Sequence, residues 1–80
     1  MSEAPPLQEL DTCGLLCPMP VIRTAQAIAE LTPGDQLRVI ATDPGTMQDI
    51  PAWCRVHHHE LLRAEEVDPH FVFEITVKGD

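Results

Sequence analysis

The sequence predicts an α/β (α+β) two-layer sandwich with the element order β-α-β-α-β-β. Three observations predict it. Two segments repeat their apolar residues at intervals of three and four, the period of a helix with one buried stripe. Four short segments alternate apolar and polar residues, the period of a strand with one covered face. Asp, Gly and Pro punctuate the joins between them. Crossovers of this kind are right-handed, which puts both helices on one face of a four-stranded mixed sheet.

The elements follow in order. Residues 1–6, Met1-Ser2-Glu3-Ala4-Pro5-Pro6, read as a flexible tail, and residues 7–80 as one domain. The tail has neither the basic region nor the apolar run of a signal peptide. Leu7 to Asp11 is a first strand. Pro18 to Leu31 is a first helix, with Val21, Ile22, Ala25, Ile28 and Ala29 as its apolar stripe. Thr32-Pro33-Gly34-Asp35 stops it. Gln36 to Thr42 is a strand that turns Leu37, Val39 and Ala41 to one face. Asp43-Pro44 reads as an N-cap with a proline in the first turn, opening a helix to about Val56. Met47, Ile50 and Cys54 share a side of that helix, and Pro51 inside it should kink or shorten it. His59 to Val67 is a third strand. Asp68-Pro69 is a turn. His70 to Lys78 is the cleanest strand, with Phe71, Phe73, Ile75 and Val77 alternating with Val72, Glu74, Thr76 and Lys78.

Composition narrows the function. The 80-residue chain carries thirteen acidic and five basic residues, a formal charge of −8. Such acidity opposes direct nucleic-acid binding, which needs Lys and Arg to displace counterions, and opposes anionic membrane surfaces. It suits basic patches on protein partners. No segment approaches the ~20 apolar residues of a membrane span. Three cysteines make no disulfide framework, so a reducing, cytoplasmic setting is expected.

The most informative segment is Cys17-Pro18-Met19-Pro20. It places a thiol at the mouth of the first helix. A residue before proline avoids the helical region, which suits Cys17 as an N-cap leaning toward the first-turn N–H groups. Pro18 and Pro20 bring no N–H, so Met19 is the only donor among the first three helical residues. The nearest downstream cation, Arg23, lies at least one turn along. The helix dipole is worth about 0.3–1 kcal/mol at an exposed site. A modestly acidic thiol is therefore expected, suited to both accepting and surrendering sulfur. Nothing in the chain builds the oxyanion hole of a cysteine hydrolase. Local pattern alone leaves a structural cysteine equally open.

The run Asp11-Thr12-Cys13-Gly14-Leu15-Leu16-Cys17-Pro18-Met19-Pro20-Val21 resembles the TusA/SirA family of small sulfur-carrier proteins, whose hallmark is Cys-Pro-x-Pro at the start of the first helix. The resemblance continues through Pro33-Gly34-Asp35, Asp43-Pro44-Gly45-Thr46, Asp49-Ile50-Pro51 and Cys54 to His59-Glu60-Leu61, and covers residues 7–78. It implies a two-layer sandwich and a sulfurtransferase that carries sulfane sulfur as a persulfide on Cys17. No separate cofactor is implied. The implied partners are a cysteine desulfurase or rhodanese-like donor and a downstream sulfur-relay protein, in tRNA 2-thiouridine synthesis or in sulfur metabolism. Relatives with the same fold and no demonstrated sulfur transfer keep a second reading open, a non-catalytic regulatory or interaction module.

Other residues stand beside Cys17. Cys13 is a candidate resolving thiol that could attack a Cys17 persulfide, which gives a third reading, a Cys13/Cys17 redox module. It reads more simply as a small apolar side chain in the loop. Cys54 reads as core. His57-His58-His59 with the three cysteines matches no standard zinc spacing, so no metal is expected. Asp43, if its loop opens on the same sheet edge as Cys17, lines that site. Met19, beside Cys17 in the first turn, is an adaptable partner contact.

Overall fold

The computed structural model describes residues 7–79. The predicted tail, residues 1–6, lies outside the described residues. The elements are β1 (Leu7–Thr12), α1 (Met19–Ala29), β2 (Gln36–Ala41), α2 (Thr46–Val56), β3 (Glu60–Val67) and β4 (His70–Thr76). They form a four-stranded mixed sheet in the order β1-β2-β4-β3. β1 and β2 run parallel, and β4 is antiparallel to both β2 and β3. The predicted order and fold class are those observed.

The register explains which face is covered. Leu37 pairs with Ile75, Val39 with Phe73 and Ala41 with Phe71, so all six lie on one side of the sheet. Every one of them is buried. Leu10 and Thr12 of β1 pair with Val39 and Ala41 and join that side. The helices cover it with Ile28 from α1 and Ile50 and Cys54 from α2, and Val21, Leu31, Met47 and Trp53 pack around this core. Burial of such apolar surface is the main favourable term in folding.

One expectation about the helices is corrected, and the predicted end of the second helix, about Val56, is the one observed. The buried face of α1 is Pro20, Thr24 and Ile28, whereas Ile22 and Ala29 are exposed. Thr24 takes a core position because its hydroxyl donates to the Pro20 carbonyl at 2.8 Å, so no polar atom is left unpaired. In α2 the helix neither stops nor shortens at Pro51 and continues to Val56. The lost N–H is a local cost, and Ile50 and Cys54 on either side of Pro51 are buried.

The opposite face carries a ladder of charges across all four strands. Glu9 pairs with Arg38 at 3.6 Å, Arg38 with Glu74 at 3.0 Å, Arg63 with Glu74 at 3.4 Å, and Arg63 with Glu65 at 2.7 Å. Opposite charges on neighbouring strands fix register and keep this face polar. β3 also carries a bulge between Leu61 and Arg63, which leaves Leu62 exposed. Glu74 is half-buried, at 25% exposure, on a solvent-facing sheet surface, so Glu74→Gln, which weakens both arginine contacts, should cost about 1 kcal/mol. A urea titration measures it, and a larger loss would mean that the ladder holds the sheet together.

Candidate functional site

The loops after the parallel strands β1 and β2 leave the sheet at the same edge. The first loop turns at Cys13-Gly14, where Gly14 has φ +82°, a conformation that side-chain-bearing residues adopt at a cost. Two bonds hold the turn: Leu15 N–H to the Thr12 carbonyl at 3.1 Å, and Gly14 N–H to Thr42 Oγ1 at 2.9 Å. The second bond ties the first loop to the second. Thr12, fully buried, donates its hydroxyl to the Ile40 carbonyl at 2.8 Å and anchors the end of β1 on β2.

Cys17 is exposed and bonded twice to the second loop and its helix. Its backbone N–H donates to Asp43 Oδ2 at 2.7 Å. Its thiol donates to Asp49 Oδ2 at 2.7 Å. Asp49 stands in the first turn of α2, where a carboxylate is favoured by the helix dipole. Thiol and carboxylate are 32 residues apart in the chain.

These contacts correct the sequence reading in three places. Cys17 is not the N-cap of α1; Pro18 is, and the cap makes no side-chain hydrogen bond. The Met19 N–H, the one donor the prolines leave in the first turn, is taken by the Leu16 carbonyl at 2.8 Å. The thiol is not made more acidic. The Asp49 hydrogen bond comes first, then desolvation, then the charges of Asp49 and Asp43, and all hold its pKa above the ordinary thiol value. A carboxylate favours the protonated donor over a second anion beside it. Asp43 is not the N-cap of α2 either, since the cap is Gly45. Its Oδ1 accepts from Gly45 N–H at 3.0 Å and its carbonyl from Thr46 N–H at 3.0 Å, so it braces the turn before the helix while it holds the Cys17 backbone.

The remaining candidates are placed as follows. Pro18 and Met19 are exposed beside Cys17, and Pro20 is buried against the core. Leu16, which precedes Cys17 in the chain, and Ile22 on α1 are exposed as well. Arg23 is exposed on α1, with no ion-pair partner among the described residues. Cys13 is exposed and repeats the Cys17 arrangement in miniature. Its backbone N–H donates to Asp11 Oδ1 at 2.9 Å, and the Asp11 hydrogen bond, desolvation and charge raise its thiol pKa. Cys54, 1% exposed, is core, and burial pushes its thiol up to about 11. The histidine nearest a cysteine in the hydrogen-bond network is His59, whose N–H donates to the Cys54 carbonyl at 2.9 Å. His57 and His59 rest on Trp53, with ring centroids 4.7 Å and 5.3 Å away.

Asp49 is the residue that the sequence reading missed as part of the site. A signal was present: it lies one turn into a helix whose N-terminal loop opens on the thiol's edge.

Comparison with known proteins adds the family. A family model described as sulfurtransferase TusA matches residues 8–77. A protein of Pseudomonas putida (strain GB-1) named sulfur carrier protein TusA is 42% identical over 80 residues, all of both chains. One of the same name from Pseudomonas syringae pv. syringae (strain B728a) is 43% identical over 72 residues, 90% of this chain and 86% of that one. The crystal structure of a SirA-like protein from Desulfitobacterium hafniense superposes with a TM-score of 0.77 at 21% identity, over 92% of this chain and 100% of that one, a likeness of fold.

Proposed function

The chain belongs to the sulfurtransferase TusA family, and on that premise we propose that it carries sulfane sulfur as a persulfide on Cys17. The observation that carries the proposal is an exposed thiol, in Cys-Pro-x-Pro, at an edge where two loops meet. The site is open, so the rest of the chemistry comes from a partner.

In the loading step the Cys17 sulfur attacks the outer sulfur of a donor persulfide. A new S–S bond forms, the donor S–S bond breaks, and the donor leaves as a thiolate that takes up a proton. The sulfane sulfur keeps its oxidation level, so neither oxidant nor reductant is consumed. Unloading is the same displacement by an acceptor thiol. Thiol exchange of this kind is fastest when the attacking group titrates near ambient pH. The donor is a cysteine desulfurase or a rhodanese-like protein, and the acceptor is a relay protein. The formal charge of −8 and the carboxylates of Asp43 and Asp49 favour partners with basic docking surfaces. A place in tRNA thiolation runs through such a partner, because the acidic chain has no basic stripe for RNA.

Intact-mass measurement after incubation with a cysteine desulfurase and cysteine tests the proposal. The protein should gain one sulfur atom, removable by reductant. Cys17→Ser should abolish the gain, and Cys54→Ser should keep it. No gain on the unaltered chain would leave an interaction module of the same fold. Loss of two hydrogens requiring Cys13 would instead point to a Cys13–Cys17 disulfide.

A further inference from the structure

We propose that Asp49 is a latch on Cys17, holding its sulfur as a thiol in the free protein and releasing it when a partner's cation takes the carboxylate. The inference rests on the sulfur-carrier reading and adds how the sulfur is kept and freed.

The two carboxylates at the site are not equivalent. Asp43 accepts from two backbone N–H groups, those of Cys17 and Gly45. It is tied into the loop. The hydrogen bond to the Asp49 side chain comes from the thiol of Cys17. The Asp49 carboxylate is therefore free to exchange that bond for an ion pair. Among the described residues the charged groups acting on Cys17 are these two, and both are anionic. The nearest downstream cation in the sequence, Arg23 on α1, is paired with neither carboxylate. Among the described residues no cation pairs with either carboxylate, so the neutralising charge is assigned to a partner.

The consequence is a thiol held back from premature chemistry. Thiolates, not thiols, are alkylated, oxidised and drawn into disulfides. With Asp49 accepting the S–H, the free carrier presents the less reactive form. A docked guanidinium or ammonium competes for Asp49, and the thiol proton passes to solvent. The thiolate then attacks the donor's outer sulfur, and the departing donor thiolate takes up a proton. The balance is one donor persulfide and one Cys17 thiol giving one donor thiol and one Cys17 persulfide.

The test follows iodoacetamide alkylation of each cysteine against pH by peptide mass, with Cys13 as the internal control. Asp49→Asn and Asp49→Ser should both shift the Cys17 curve to lower pH and raise its rate at pH 7. The plateau rate at high pH should fall no more than about threefold, because a less basic thiolate is slightly less nucleophilic, and the Cys13 curve should not move. Hexa-arginine peptide at matched ionic strength should raise the Cys17 rate of the unaltered protein at pH 7 and leave the Asp49→Asn rate unchanged. Superimposable Cys17 curves for the unaltered protein and both variants overturn the latch. Equal acceleration of the unaltered protein and Asp49→Asn by the peptide overturns release by a cation. No sulfur donor enters this experiment, so its outcome stands apart from the mass gain that tests sulfur carriage.

Discussion

Replacing Phe73 with alanine should remove about 3–5 kcal/mol of folding stability, the largest single loss expected from any core position. Phe73 is the largest fully buried side chain, at 0% exposure. It sits on β4, one of the two strands flanked on both sides, opposite Val39 of β2 and Ala64 of β3. The inner ends of both helices reach the same core through Ile28, Ile50 and Cys54. A cavity there has no exposed side on which to collapse. Domains of this kind hold only about 5–15 kcal/mol in total, so the variant should lie near its unfolding threshold. Urea titration reads the loss as a lower midpoint at an unchanged slope. A loss under about 1 kcal/mol would mean that the sheet repacks around the gap.

The second large effect concerns Cys54. Its thiol is 1% exposed, so a thiol reagent reaches it only through unfolding. If global opening is the route, Cys54 should react at least about a thousandfold more slowly than exposed Cys13, the factor set by ~5 kcal/mol of stability. Phe73→Ala should then erase most of that protection, since every ~1.4 kcal/mol is tenfold. Cys54 labelling within tenfold of Cys13 in the unaltered protein would show that α2 opens locally. The same burial sets an alkaline limit. Burial raises the folded Cys54 pKa to about 11, above that of an exposed thiol, so the folded state favours the protonated form. That contribution is complete below the ordinary thiol range and is lost as pH rises toward 11. Cys54→Ala should flatten the alkaline fall in stability, which melting temperatures between pH 8 and 11 would show. Cys13 and Cys17 act in the same direction and remain in that variant, so the difference isolates Cys54.

Much of the fold is legible because burial and period coincide. β4 alternates without exception, with Phe71, Phe73 and Ile75 buried, and Val77 just beyond its end is buried too. β2 is equally plain. α1 is harder to read, because apolar character alone chooses Ile22 and Ala29 over Thr24. Thr24 is buried by virtue of one hydrogen bond to the Pro20 carbonyl, which hydropathy cannot see. At the site, local reasoning finds Cys17 and the shortage of helix N–H groups around it. It then misjudges the thiol, because the group that governs it arrives from another helix. Asp43 shows the same limit. Asp-Pro looks like a cap, but its carboxylate serves the turn at Gly45 and the backbone of Cys17 instead.

The tie between Cys17 and α2 also makes the thiol's reactivity a certificate of folding. The carboxylate that tempers it lies 32 residues downstream and comes to it only once β1 and β2 lie side by side. In an unfolded or half-synthesised chain Cys17 is an ordinary exposed cysteine. In the finished fold it is a guarded one. Damage to the sheet, even far from the sulfur, therefore reaches the chemistry by removing the guard. A carrier whose core has failed would advertise itself through an unrestrained thiol.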